Sequence, residues 1–154
     1  MNSTPAILFV CLGNICRSPL AEGAMREAAD RAGLSVRIDS AGTGDWHVGN
    51  PPDPRAIATA SDHGVDISAL RARQVSLEDF TRFTHIFALD ADNLRNLQAL
   101  APEDTTATLA LLLDAVPGFE GQAVADPYYG GEEGFTQTWR DVSAAAEALV
   151  SRFK

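Results

Sequence analysis

The chain has 154 residues, of which 45% are hydrophobic and 21% charged, a length and balance that suit one globular domain and exclude a disordered chain. Acidic residues number 21 against 12 Lys and Arg, a formal net charge of −9. A surface of that sign repels nucleic acid and anionic lipid, which counts against both as partners and, at first sight, against any enzyme for anionic phosphate esters.

The two cysteines, Cys11 and Cys16, are too few for a disulfide scaffold. Met1–Pro5 carries no basic side chain, and the apolar run Ala6–Leu12 is too short for a signal peptide or a membrane span. The expectation is a cytoplasmic monomer with free thiols, residues 1–154 forming a single domain.

Along the chain, apolar runs of strand type alternate with helical periodicity. Ala6–Val10 predicts a strand, and Cys11–Arg17 a glycine-bearing turn. Ser18–Pro19 suits the N-cap and first position of a helix. In that helix Leu20, Ala21, Ala24, Met25, Ala28, Ala29 and Ala32 recur at helical spacing, and Gly33 ends the run. Val36–Ser40 is a second strand candidate. Gly42–Pro54 is rich in Gly, Pro, Asp and Asn and reads as a long ordered loop, followed by a helix from Asp53 to His63. Ser76–Arg82 predicts a short helix capped by Ser76, Thr84–Leu89 a third strand, Asp92–Leu100 a helix and Thr108–Leu113 a fourth strand. Pro117–Gly134 is a second long loop. Phe135, Trp139, Val142, Ala146, Leu149, Val150 and Phe153 mark an amphipathic C-terminal helix.

Strands separated by helices imply an α/β fold with parallel pairing and right-handed crossovers. In open sheets of that kind ligands sit beyond the carboxyl ends of the strands, which is where Cys11–Arg17 falls. A tight turn between a strand and a helix N-terminus aims successive backbone N–H groups at a tetrahedral oxyanion. Gly13 and Asn14 tolerate the left-handed dihedrals that such a turn needs. Arg17 adds a planar fork that can grip two phosphate oxygens at once. Cys11, at the base of the same turn, has its thiolate stabilised by those donors and becomes a candidate nucleophile, with Ser18 able to donate to the sulfur. The plainer alternatives are that Cys11 is a small apolar strand end and that Arg17 pairs with an acid.

A thiolate that attacks phosphorus also needs an acid for the leaving oxygen. Asp126-Pro127-Tyr128-Tyr129 lies in the second long loop, with Pro127 stiffening the backbone beside Asp126. The motif reads equally well as an ordinary turn, and spacing alone does not choose between the two.

Both motifs together carry a resemblance. Val10 to Pro19 matches V-C-x-G-N-x-C-R-S-P, the opening loop of the low-molecular-weight protein tyrosine phosphatases, and Asp126 to Tyr129 matches their late D-P-Y-Y. Asp39–Thr43, Trp46–Gly49, Arg71–Gln74 and Asp90–Leu94 are weaker matches, so the chain resembles the bacterial members of that family over nearly its whole length. The resemblance implies a three-layer α/β/α fold with a four-stranded parallel sheet, no metal and no cofactor. It makes Cys11 the nucleophile, Arg17 the phosphate clamp, and Asp126 the general acid and then base. Leu12, Gly13, Asn14, Ile15, Cys16 and Ser18 form the phosphate-binding loop, with Asn14, Ser18 and Ser40 holding it by hydrogen bonds. Leu12, Trp46, Tyr128 and Tyr129 wall a cleft deep enough for phosphotyrosine and too deep for the shorter phosphoserine. Cys16 becomes a second thiol that guards Cys11 as a disulfide under peroxide. The implied partner is a tyrosine-phosphorylated protein, a tyrosine kinase among the candidates.

There is one departure: Leu70 stands where many members carry a histidine that supports the loop through Asn14. Two rival readings remain. An arsenate reductase-like oxyanion enzyme would need further cysteines on another segment, and there are none after Cys16. A non-catalytic phosphoprotein-binding module would leave the nucleophile and acid candidates without a role.

Overall fold

The computed structural model describes residues 4–128 and 130–154. The elements are β1 (Ala6–Cys11), α1 (Arg17–Ala32), β2 (Arg37–Gly42), α2 (Pro54–Asp62), α3 (Asp79–Arg82), β3 (His85–Ala88), α4 (Ala91–Leu100), β4 (Thr108–Leu111) and α5 (Glu132–Phe153). A short 3-10 turn, Leu112–Ala115, follows β4. The strands pair in parallel in the order β2-β1-β3-β4, the four-stranded sheet expected from the alternation of elements.

β1 is central, and alternate residues along it enter opposite cores. Ile7, Phe9 and Cys11 pack with Leu20 and Met25 of α1 and with Phe135 and Leu149 of α5. Ala6, Leu8 and Val10 pack with Phe80 of α3 and Leu97 of α4. Helical cover on both faces is why this strand reads as an unbroken apolar run instead of an alternating one. Each large side chain so buried contributes roughly 1.5–3 kcal/mol of transfer free energy. Because β1 is flanked by β2 on one side and β3 on the other, a crevice opens beyond its carboxyl end. The Cys11–Arg17 loop emerges there.

Several boundaries differ from the sequence expectation for physical reasons. α1 begins at Arg17, with Cys16 at the N-cap and no side-chain cap. Ser18 is therefore inside the helix, and its hydroxyl is engaged by Cys11 and Asn14 instead. The helix expected over Ser76–Arg82 forms only at Asp79–Arg82. The serine does not cap it; the Asp79 carboxylate accepts the Ser76 backbone N–H at 2.8 Å. β4 stops at Leu111 because the chain turns to bury Leu112 and Leu113 in the core shared with α5.

Candidate active site

The loop after β1 is built around Asn14, 2% exposed and the sole non-glycine residue with positive φ among those described, at 58°. Asparagine tolerates that conformation better than most side chains. Gly13 was expected to share it but does not have a positive φ. Its lack of a side chain matters for space, since a Cβ there would lie 3.1 Å from Cδ2 of His47. Gly42, at the end of β2, is a sterically required glycine that the motifs did not single out. A Cβ at Gly42 would sit 2.7 Å from the Leu12 carbonyl oxygen, so this end of the sheet can close under the loop only without one.

Asn14 spends its whole amide on the loop. Nδ2 donates to Ser18 Oγ at 2.8 Å and to Ser40 Oγ at 3.0 Å, and Oδ1 accepts the Arg73 backbone N–H at 3.0 Å. The Asn14 backbone N–H points at Cys11 Sγ, 3.3 Å away, and Ser18 Oγ lies 3.0 Å from the same sulfur. A thiolate can only accept, and Ser18 already accepts from Asn14, so Ser18 is the donor to an ionised Cys11. The Ser40 hydroxyl in turn donates to Glu22 Oε1 at 2.7 Å. The other oxygen of this buried carboxylate takes two hydrogen bonds from Arg26.

Leu70, the departure from the family pattern, is half-buried against the main core. No histidine is needed for Asn14: both of its amide hydrogens and its carbonyl oxygen already have partners, and Glu22 anchors the far end of the chain of hydrogen bonds.

Arg17 is 3% exposed. Its Nη1 donates to Asp90 Oδ2 at 2.7 Å and to the Val124 carbonyl at 2.9 Å. Asp90 is in turn the N-cap of α4, accepting the Asn93 N–H. These contacts hold the guanidinium plane while Nη2 faces the Asp126 carboxylate at 3.7 Å. Asp126 is more open, with its side chain 39% exposed, and its Oδ1 accepts the Tyr128 backbone N–H at 3.0 Å.

A cavity of about 320 Å³ joins these groups. Cys11, Cys16 and Arg17 lie in its wall beside Gly13 and Ile15, Asp126 faces them, and Leu12, Trp46, His47 and Tyr128 complete the lining. Trp46 is 69% exposed, and its ring lies across Gly44, where a Cβ would collide with it. Of the expected cleft residues, Leu12, Trp46 and Tyr128 are brought together, and Tyr129 lies outside the described residues. Asn14, Ser18 and Ser40 sit behind the loop instead of in the wall.

Cys11 and Cys16 are both free thiols. Burial pushes the Cys16 thiol far above its ordinary pKa; Asp53, Cys11 and Asp126 add to the shift, and Arg55 opposes it. Cys16 is therefore protonated at neutral pH. Asp90, Glu22, Arg73 and Gly42 support the site without having been identified as site residues. Only Asp90, Arg73 and Gly42 fall inside weak family matches, and Glu22 carried no signal because it sits among the apolar positions of α1.

A tight loop at the end of the first parallel strand, with a cysteine at its base and an arginine at its end, fits the cysteine-dependent phosphatase class of site. Comparison with known proteins narrows it. Residues 6–154 match the family model for low molecular weight phosphotyrosine protein phosphatases. The phosphatase of that name from Schizosaccharomyces pombe is 48% identical over 139 residues, covering 88% of each chain. The crystal structure of YfkJ from Bacillus subtilis superposes with a TM-score of 0.90 at 38% identity, covering 98% of this chain and 95% of that one. A Drosophila arginine phosphatase, DARP, superposes with a TM-score of 0.91 at 31% identity over 96% of this chain and 97% of its own. The chain belongs to the low molecular weight phosphotyrosine protein phosphatase family, whose members are enzymes that hydrolyse phosphate monoesters.

Proposed function

We propose that the chain is a protein-tyrosine phosphatase that works through a cysteinyl-phosphate on Cys11. The observation that carries this reading is the convergence on one sulfur of the Asn14 N–H and the Ser18 hydroxyl, in a cavity that also presents Arg17 and Asp126. Backbone donors and the Arg17 fork hold the three non-bridging phosphate oxygens. The Cys11 thiolate attacks phosphorus in line, the S–P bond forming as the P–O bond to the phenol breaks, and Asp126 gives its proton to the departing oxygen. Asp126, now a carboxylate, takes a proton from water as that water attacks phosphorus. The S–P bond breaks, and inorganic phosphate and the thiolate are released. Ser18, which donates to the thiolate, also stabilises it as the leaving group.

Leu12, Trp46 and Tyr128 supply an apolar mouth suited to an aryl ring. That mouth, and relatives at up to 48% identity named as phosphotyrosine phosphatases, favour phosphotyrosine over the phosphoarginine suggested by the DARP name. The substrate is a tyrosine-phosphorylated protein, and a tyrosine kinase is one such protein. We read the enzyme as a cytoplasmic monomer without nucleic-acid or membrane partners. No helix among the described residues is long and apolar enough to cross a membrane. Cys16 is the nearest thiol for a protective disulfide, but its protonated state makes it a slow partner at neutral pH, so capture of oxidised Cys11 would quicken as pH rises.

The test is turnover of matched peptides carrying phosphotyrosine, phosphoserine or phosphoarginine by the wild type and by Cys11→Ser. Phosphotyrosine should be hydrolysed fastest and only by the wild type. Faster release from phosphoarginine, or retained turnover in Cys11→Ser, would overturn the reading.

A further inference from the structure

Cys11 and Asp126 must be held at a fixed separation, yet they are carried by two loops far apart in the sequence. Asp126 itself makes few contacts that could set this distance. The link runs through the start of α2. The Asp53 backbone N–H donates to the Ile15 carbonyl of the phosphate loop at 2.8 Å. The Asp53 carboxylate, at the N-cap of α2, takes both prongs of the Arg55 guanidinium, Nε to Oδ1 at 3.0 Å and Nη2 to Oδ2 at 2.9 Å.

The same guanidinium crosses to the acid-bearing segment. Its Nη2 donates to the Tyr128 carbonyl at 3.0 Å and its Nη1 to the Gly130 carbonyl at 3.3 Å. Its carbon lies 4.8 Å from the ring centre of Phe135 and 5.6 Å from that of Tyr128, so two aromatic faces also hold the cation. Tyr128 is the residue whose N–H binds Asp126 Oδ1. One continuous path therefore runs from the Ile15 carbonyl through Asp53, Arg55 and Tyr128 to the Asp126 carboxylate.

A single surface ion pair between Asp53 and Arg55 would be worth little. Here the pair is bidentate, and its remaining donors are committed to backbone carbonyls of another segment, which gives it geometric rather than merely electrostatic content. We infer that Arg55 is a positioning residue which, braced by Asp53, registers the acid Asp126 against the phosphate loop. Arg55 does not line the cavity and acts through Tyr128. The inference rests on the acid role proposed for Asp126.

Losing Arg55 should damage the step that needs the acid and spare the step that does not. The full chain is compared with Arg55→Ala, Arg55→Lys, Asp126→Asn and the double variant Arg55→Ala/Asp126→Asn. The readout is kcat/KM for phenyl phosphate, whose leaving group needs a proton, and for 2,4-dinitrophenyl phosphate, whose leaving group does not. Arg55→Ala should lose about 10-fold or more on phenyl phosphate and stay within about 2-fold on the dinitrophenyl ester. Phosphate-protected alkylation of Cys11 by iodoacetate should be unchanged. Arg55→Lys keeps the charge and the stem but not the fork, and should show the same bias in smaller degree; it also serves if Arg55→Ala does not fold. The double variant should be no more biased than Asp126→Asn. An equal loss on both esters, no loss on either, or additive bias in the double variant would overturn the positioning role. Absence of bias in Asp126→Asn itself would show that the acid assignment has failed, a result distinct from failure of the tether.

Discussion

In the Cys11–Arg17 loop and the helix turn behind it, Asn14, Arg17 and Ser18 are each no more than 3% exposed. Their hydrogen bonds end on the buried Ser40, the half-buried Asp90 and the Val124 carbonyl. Across the same cavity, Asp126 is an exposed side chain on a long segment. It is steadied by a turn bond to Tyr128 and by an arginine reaching over from α2. The Cys11–Arg17 loop is thus held from within by a polar network, and the segment carrying Asp126 is held from outside by Arg55. A group that must bind the same dianion at every turnover gains from preorganisation. A group that must give up and regain a proton gains from contact with water, and its placement is correspondingly less protected.

The largest effect that would break this contrast is at Arg17. Arg17→Lys keeps the charge, but an ammonium cannot bond Asp90, the Val124 carbonyl and two phosphate oxygens together, and kcat/KM should fall by about 10²–10³-fold. A loss under tenfold would mean that charge alone suffices. Next, Asp126→Asn should lower kcat/KM by about 10²-fold for phenyl phosphate and far less for a dinitrophenyl ester, with thermal stability unchanged because the side chain is exposed. A shifted melting temperature would show that the acid loop is more integral to the fold than its contacts suggest.

Asn14→Ala should behave in the opposite way. It leaves the Arg73 N–H and the Ser18 and Ser40 hydroxyls short of a partner inside the protein and places alanine at a positive φ. Unfolding by urea should report a loss of roughly 2–4 kcal/mol. A neutral result would mean that the loop does not depend on the asparagine.

The smallest effect concerns the clamp and pH. The Arg55 hydrogen bonds hold the Asp53 carboxyl below the ordinary aspartate range, against the opposing pull of its burial. The folded state therefore binds fewer protons than the unfolded one. The contribution is complete above the ordinary aspartate value of about 3.9 and is lost as pH falls through the lower folded value. Asp53→Asn should lack that acid-side decline, giving a flatter curve of urea midpoint against pH below about pH 4. Identical curves would show that the pair adds no folding free energy.

How much of this was legible in the sequence follows the same division. The order of strands and helices could be read from apolar periodicity, because β1 and its neighbours bury side chains at regular spacing. The Cys11–Arg17 loop could be read because its chemistry is local: a sulfur, backbone donors, an asparagine and an arginine within a few residues of a strand end. Ser18 was legible as a donor to sulfur, though its reading as a helix cap failed once its hydroxyl was claimed by Asn14 and Cys11. Asp126 was ambiguous as long as spacing was the sole guide, since Asp-Pro-Tyr-Tyr is also turn chemistry; resemblance to a family pointed to an acid there, and the fold places its carboxylate across the cavity from Arg17.

The remainder depended on tertiary structure. Glu22 lies within an apolar helix face, and nothing about its neighbours signals that it ends a hydrogen-bond chain starting at Asn14. Arg55 reads as an ordinary helix-start arginine until α2 and the 116–131 segment are brought together. The net charge of −9, which first weighed against an anion-binding enzyme, is a property of the whole surface, whereas the donors proposed to hold the phosphate belong to one loop. Sequence by itself determined which groups could do the chemistry, because reactivity and local turn geometry are encoded by residue type and close spacing. Only the folded chain decided their separation and support, because those distances are set by packing between segments that lie far apart along it.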